Sequence, residues 1–356
     1  MLVSMHSKLQ SASGPNAFTL RLPVPSSLNI PEWCTQLREY HDQDLCDFLE
    51  FGWPVGYSAP TRPVSTQQNH GSATSNPQVI DLFLATECLL GAACGPFTEN
   101  PLAVDLVTSP LQIAYSRSGK PRVVVDLSFP HGTSVNSGIP NDTYLGEPFT
   151  LRLPGVDALI NIISQKGAGC HLFKKDLSRA YRQLRIDPRD FHLLGYRHNG
   201  SLYFDVAPPF SLRSSAMMYQ RTTSAVTYMF QKMGFQCTNY IDDFGGAELP
   251  AHSCAAFNAL NDLLSSLGIQ SSPDKDCPPS TNMVFLGIQL DTLDMTMSVT
   301  PDRLQELLHR CSSVLVLTHI PCRDLQSLLG VMPFITACDR PAHIFMSTIL
   351  NTLCVH

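Results

Sequence analysis

Several signatures are missing from this 356-residue sequence, and each absence removes a class of protein. The twelve cysteines contain no Cys-x-x-Cys pair and no Cys–His cluster at zinc spacing, and the twelve histidines contain no His-x-x-x-His pair. No structural zinc site is therefore expected, and cysteines spread this thinly read as reduced thiols rather than a disulfide scaffold. No apolar run approaches the roughly 20 residues of a membrane helix. The opening "MLVSMHSKLQSASGPNAF" has no apolar core of a signal peptide. These absences lead us to expect an intracellular chain of the cytoplasm or nucleus, neither secreted nor held in a membrane. There is no Ser/His/Asp or Cys/His constellation for a side-chain nucleophile, and there is no internal repeat.

What is present is an ordinary globular composition, 44% hydrophobic, with 24 basic against 30 acidic residues. The whole is mildly acidic, which by itself argues weakly against a nucleic-acid partner. The distribution differs: between Tyr115 and Lys232 fifteen basic residues stand against eight acidic ones. A basic middle between acidic ends can present a surface to a polyanion, or can simply be solvated charge.

Residues 1–75 read as an extension, with polar, Pro/Ser-rich pieces around one amphipathic stretch, "PEWCTQLREYHDQDLCDFLEFG". The piece "YSAPTRPVSTQQNHGSATSNP" has the composition of a linker or long loop. "PQVIDLFLATECLLGAACG" then predicts a helix closed by glycine. "LQIAYSRSGKPRVVVDLSF" predicts a hairpin with a basic tip, and "HLLGYRHNGSLYFDV" a second one turned at Asn199-Gly200. Helices are predicted over "GVDALINIISQKG", over "SSAMMYQRTTSAVTYMFQKMG" and through "CAAFNALNDLLSSLG". The last has Phe257, Leu260, Leu264 and Leu267 on one face. "NMVFLGIQLDTLDMTMSVT" predicts a third hairpin. Thr300 and Pro301 begin a further helix as N-cap and first residue. The order implies an α+β fold, an antiparallel sheet with helices on one face.

The stretch "TNYIDDFGG" sets Asp242 beside Asp243 with no basic residue near in sequence. Adjacent carboxylates repel, and apolar surroundings make each harder to ionise. Taken alone this is an Asp-rich turn, favoured for local hydrogen bonding. Asp176 ends another apolar run, "HLFKKDL", and alone it is a helix N-cap candidate before "LSRAY". Two strands that lie side by side would converge all three carboxylates. Hard cations such as Mg²⁺ bind carboxylate oxygens together with substrate phosphates, which would offset the repulsion.

The set "KPRVVVDLS", "FKKDLSRAY", "SLRSSAMMYQ", "YIDDF", "SPDK" and "FLGIQLD", in this order and spacing, resembles the fingers and palm of a reverse transcriptase. "VDLSFPHGTSVNSGIP" and the late "LQSLLG" make it most similar to the enzymes of DIRS/Ngaro-type retrotransposons, which move with a tyrosine recombinase. The resemblance covers roughly residues 76 to 335. It implies a right-hand polymerase fold: an N-terminal extension over 1–75, partly disordered, fingers and palm over 76–300, and a truncated thumb or connection over 301–356.

The resemblance also implies site residues. Asp176, Asp242 and Asp243 would be the catalytic, metal-binding triad, with the backbone carbonyl of Leu177 a further ligand. The cofactors would be two Mg²⁺ ions, with Mn²⁺ a substitute, serving nucleotidyl transfer of dNTPs to a primer 3′-hydroxyl. Arg117, Lys120 and Arg122 would grip the triphosphate, and Arg suits bidentate phosphate contact. Tyr181 would stack beneath the incoming sugar and exclude a 2′-hydroxyl; outside this motif it would be a core aromatic. Lys275 would protonate pyrophosphate, or be a plain turn lysine. Ser211, Gln220, Tyr240, Leu286 and Gly287 fall at template and primer contacts, the last two in a primer-grip hairpin. The partners implied are an RNA template, a DNA primer or RNA–DNA hybrid, and dNTPs.

Two departures qualify the resemblance. Ser211 stands where the family carries Gly, Ala216 where it carries Pro, and Arg213 at a usually small position. A serine there could obstruct the close approach of backbone to nucleotide or force strain. The sequence also ends at His356, short of a full thumb, RNase H or recombinase, as expected of a fragment of a longer polyprotein or a decayed copy. The leading expectation is therefore an RNA-directed DNA polymerase. The alternative is a polymerase-fold remnant that binds nucleic acid without synthesis. A two-metal nucleotide cyclase would share the carboxylate plan but leaves the basic hairpin unexplained.

Overall fold

Turn chemistry fixes many of the element boundaries. Asn199 (φ 47°) and Gly200 (φ 78°) both lie in the left-handed region, the two-residue turn that matches strand twist. They join strands Gly195–His198 and Ser201–Asp205 in antiparallel register. The computed structural model describes residues 1–11, 21–116, 119–317, 319–330, 332–338, 341, 344, 346–347 and 350–351. The architecture is α+β, and the chain divides into two compact units that interleave along the sequence. The first comprises Met1–Leu153, Leu177–Met229 and Asp262–Ser271; the second comprises Pro154–Asp176, Phe230–Asn261 and Ser272–His356.

In the second unit, an antiparallel four-stranded sheet has the order Cys277–Ser280, His171–Asp176, Asp243–Glu248, Cys237–Tyr240. Helix Val156–Lys166 buries Val156, Leu159 and Ile163, spaced by three and four residues, against Leu172 and Ala247 of that sheet. Gly167 (φ 87°) ends the helix. A second sheet is a meander of Asn282–Phe285, Ile288–Asp291 and Thr296–Val299, one strand more than the predicted hairpin. The extra strand arises because residues 292–295 form a turn rather than continuing a strand, and both flanking runs then pair with Ile288–Asp291. Met283, Phe285, Ile288 and Leu290 seal it onto the same core. Thr300 is extended (φ −60°, ψ 145°) at the N-cap position and Pro301 opens helix Pro301–Leu315, though the Thr300 hydroxyl makes no capping hydrogen bond.

In the first unit, strands Leu111–Tyr115 and Pro121–Val125 form the basic hairpin. Ala93–Phe97 pairs with Ser201–Asp205. The helix predicted through Gly95 stops at Leu89. Gly91 (φ 65°) turns the chain, and Ala93–Phe97 extends because its partner strand can take up its backbone groups. The helix suggested after Asp176 is only the short 3-10 turn Ala180–Gln183, entered through Arg179 (φ 57°) and Ala180 (φ 32°). Asp176 is thus a strand end and not an N-cap.

Residues 21–75 belong to this first unit. Trp33, Leu45, Leu49, Trp53 and Val55 are buried, and the Trp33 indole donates to the Leu267 carbonyl at 3.0 Å. The Pro/Ser-rich piece has little regular structure, but backbone amides of Ser58, Val64, Thr66 and His70 donate to carbonyls of Gly138, Thr133, Thr108 and Leu111. Among the described residues no helix is long and apolar enough to cross a membrane.

Candidate functional site

Strand pairing assembles the carboxylates. Asp243, the first residue of its strand, stands directly opposite Asp176, the last residue of its own. Directly paired residues share a face and stand about 5 Å apart at Cβ. Tyr240 pairs with Asp243 on the other side, so Ile241 and Asp242 form a two-residue turn. Ile241 has φ 55°, a conformation a β-branched residue adopts only under strain of about 1–3 kcal/mol. This turn supplies the reorientation that lets Asp242 join its neighbours despite strand alternation.

Asp242 lies within electrostatic reach of both paired aspartates. Burial, then the repulsion of Asp243 and Asp176, pushes the Asp242 carboxyl above its usual range, while an amide hydrogen bond and Lys275 pull the other way. Lys275, on the 3-10 turn Pro273–Lys275, places Nζ 2.9 Å from Asp176 Oδ1. The hydrogen bond to Asp176, and attraction to all three aspartates, raise its ammonium pKa despite some desolvation.

Two further lysines, Lys174 and Lys175, alternate to opposite faces of the His171–Asp176 strand. Lys174 shares the face of Asp176, and its Nζ forms an ion pair with Asp243 Oδ1 at 2.9 Å. Among the described residues that ion pair is the contact this buried oxygen makes. Lys175 points the other way, buried, with Nζ 2.7 Å from Asp276 Oδ2, 3.2 Å from Asn261 Oδ1 and 4.0 Å from the Phe257 ring centroid. Three carboxylates and two lysines therefore meet at one end of the sheet, and the third lysine is structural.

Hard oxygen donors of this kind suit Mg²⁺ or Mn²⁺, but the Asp243 oxygen that a cation would take already faces the Lys174 ammonium. Among the described residues, however, no group of three or more His, Cys, Asp or Glu side chains stands ready to hold a metal ion. The donor chemistry fits a cation; the arrangement has lysines in contact with two of the three aspartates.

Leu286 (φ 49°) and Gly287 (φ 80°) form the tight turn between Asn282–Phe285 and Ile288–Asp291 in the second unit. Phe285 beside them covers the aspartate sheet: a Cβ on Gly245 would come within 2.7 Å of its ring.

The remaining residues singled out from sequence lie in the first unit, and Arg117 lies outside the described residues. Leu177 is buried and bridges to Ser271. Tyr181 is buried in the Ala180–Gln183 turn, its ring 4.9 Å from Phe210 and 5.6 Å from Tyr219. Gln183 clamps the turn, donating to Ser178 and Gln270 carbonyls (2.6 and 3.0 Å) and accepting from the Gln270 amide at 2.7 Å. Lys120 and Arg122 are exposed on the basic hairpin. Gln220 is buried in helix Ser215–Lys232, and Ala216 lies in the first turn of that helix.

Ser211 is free of left-handed strain; its hydroxyl donates to the Val125 carbonyl, which ties its loop to the basic hairpin. Arg213 donates from its side chain to Ile139 O at 2.6 Å.

Three residues escaped sequence reasoning. Buried Asn136 donates to Ser128 Oγ and Ser211 O and accepts from the Arg213 amide (2.9, 2.7 and 2.8 Å), holding the departing loop in place. Glu87 accepts two bonds from Arg179, each 2.8 Å, and contacts Arg182 at 3.3 Å, bracing the Tyr181 turn. Lys174 was legible, since period-2 alternation already puts it on the face of Asp176. Glu87 and Asn136 carry no local signal.

No protein-family model matches the chain, and no curated protein matches it. Solved structures do. A foamy viral protease–reverse transcriptase in complex with double-stranded DNA aligns with a TM-score of 0.60 and 14% identity over 94% of this chain and 58% of that one. The foamy viral protein with an RNA/DNA hybrid gives 0.59 and 14% over 92% and 44%. A further complex with double-stranded DNA gives 0.56 and 15% over 92% and 67%. The chain spans 58% of the length of the first of these and 44% of the second. At such identities the likeness is one of fold: the chain has an α+β fold resembling viral reverse transcriptases.

Proposed function

We propose that this chain is a reverse-transcriptase-like module that binds nucleic acid, a fragment of a polyprotein of the kind that also carries RNase H and recombinase. The observation that carries this reading is the fold likeness, over 94% of the chain, to a protein solved with double-stranded DNA and over 92% to one solved with an RNA/DNA hybrid. The motifs "VDLSFPHGTSVNSGIP" and "LQSLLG" support a DIRS/Ngaro-type origin, with fingers and palm over 76–300 and thumb helices after Thr300. That aspartates are paired with lysines, rather than grouped as open ligands, favours binding over synthesis. Fluorescence anisotropy with a labelled RNA–DNA hybrid tests it. Binding should weaken with salt, as phosphate contacts release counterions, and should survive Asp242→Asn. No salt-sensitive binding to hybrid or duplex would refute it.

A second reading is RNA-directed DNA synthesis, favoured by the pairing of Asp176 with Asp243 and the nearness of Asp242 to both. Asp176 and Asp242, with Asp243 and the Leu177 carbonyl, would hold Mg²⁺ or Mn²⁺. Divalent ions there would supply an ionised primer 3′-hydroxyl and charge stabilisation for departing pyrophosphate. Arg122, Lys120 and Arg117 would bind triphosphate oxygens, and Tyr181 would exclude a ribose 2′-hydroxyl. Lys275 would hold a proton at Nζ for the leaving group. Ser211, Gln220, Tyr240, Leu286 and Gly287 would contact template and primer. Primer extension on an RNA template, abolished by Asp242→Asn, is the expected result under this reading. Extension by neither protein, with the hybrid still bound, would leave the binding module alone.

A further inference from the structure

The aspartate turn carries its own counter-charges, and the two lysines that supply them differ in freedom. Lys275 is 63% exposed at its side chain, on a short surface turn, and can swing into solvent. Lys174 is 21% exposed and grows from the middle of a sheet strand. Its cross-strand neighbour is Gly245, which presents no side chain, and the Phe285 ring closes that face beyond. On its other flank stands Cys277, which offers no anion. The side chain therefore has room only along Gly245, toward Asp243, and Asp243 is its ion-pair partner among the described residues.

We propose that Lys174 is a built-in counter-cation of the aspartate turn that competes with divalent cations for Asp243. The proposal rests on the metal-binding reading of Asp176, Asp242 and Asp243 and says what sets the affinity of that site. A fixed positive charge on the ligand face repels an incoming divalent ion and withholds one carboxylate from it. Release of Lys275 costs little because water receives its ammonium. Release of Lys174 would leave an ammonium largely against Gly245, Cys277 and Phe285, where far less water reaches it than reaches Lys275. A mobile lysine and a fixed one thus leave the site at net −1 with both in place, and at −2 when Lys275 departs. The proposal also accounts for the lack of an open three-carboxylate group in a chain whose three aspartates converge.

The test is Mn²⁺ binding to the full chain, read from the electron paramagnetic resonance signal of free Mn²⁺ at fixed pH and salt. Lys174→Met, which keeps the stem and removes the charge, should bind Mn²⁺ about tenfold more tightly than the wild type, equivalent to about 1.4 kcal/mol. Lys174→Arg, which keeps the charge, should bind as the wild type does. Asp242→Asn placed on Lys174→Met should abolish the gain. A thermal melt by circular dichroism checks folding, and Lys174→Gln carries the same expectation should the methionine variant be unstable. Equal affinity in wild type and both neutral variants, each still dependent on Asp242, would overturn the role of Lys174 while leaving the metal reading intact. No Asp242-dependent Mn²⁺ binding in any variant would overturn both.

Discussion

Lys175→Met should destabilise the second compact unit by about 3–5 kcal/mol, the range for removing one partner of a buried ion pair. Lys175 is 3% exposed, and its ammonium reaches Asp276 Oδ2 at 2.7 Å and Asn261 Oδ1 at 3.2 Å. It also sits 4.0 Å from the Phe257 ring centroid, a cation–π contact worth up to about 2 kcal/mol when desolvated. These terms overlap and do not add. Methionine preserves the packing of the stem, so the loss isolates the charge. What dominates is the fate of Asp276: its Oδ1 already lacks a hydrogen bond, and the substitution would deprive Oδ2 as well. Adding Asp276→Asn removes that stranded charge and should return the double variant to within about 1–2 kcal/mol of the wild type. The assay is urea unfolding followed by far-ultraviolet circular dichroism and by amide exchange over residues 171–176. Tryptophan fluorescence follows the first unit, which holds Trp33 and Trp53. A single-variant loss below about 1 kcal/mol, or a double variant no better than the single, would refute the argument.

Three other outcomes follow from the same structure. Asp190 is buried beside Asp187, and burial pushes its carboxyl up to about 7, with the Val55 amide and Arg189 opposing. The folded chain therefore retains a proton that the unfolded chain releases near pH 4, so stability falls as pH rises from about 4 to 7. Asp190→Asn should flatten that slope in melts taken across the range; an unchanged slope would refute it. Asp242 is raised in the same direction, so Asp242→Asn should raise the melting temperature at pH 7 and leave it unchanged at pH 3, where the native carboxyl is already protonated. Glu87→Ala should cost about 3 kcal/mol in tryptophan-monitored unfolding, by leaving Arg179 and Arg182 without a shared carboxylate. It should also speed tryptic cleavage at the Tyr181 turn, and cleavage at the wild-type rate would show that Glu87 does not brace it.

Local features were legible where the chain settles them with near neighbours. The Asn199-Gly200 turn and the Thr300–Pro301 helix start each depend on two or three adjacent residues, and the structure has them as expected. Expectations went astray where a distant partner decides. Residues 93–95 continued a helical pattern in sequence but belong to strand Ala93–Phe97, which pairs with Ser201–Asp205, and the segment after Asp176 bent into a 3-10 turn held by Gln183, Gln270 and Glu87. The latter two contacts span about ninety residues each, beyond the reach of any window on the sequence.

By itself, then, the sequence pointed to the chemistry to look for: aspartates at strand ends and in the turn between strands, and a basic hairpin. It determined too that Lys174 and Lys175 face opposite ways, because alternation is a property of any strand. Only the tertiary structure decided which charges meet. Antiparallel register sets Asp243 opposite Asp176, the strained Ile241 turn carries Asp242 to them, and Lys174 reaches Asp243 while Lys275 reaches Asp176. The physical reason is range. Turn and helix signals act over a few bonds, whereas charges brought within 3 Å by strand pairing are neighbours in space whose separation along the chain carries no trace of it.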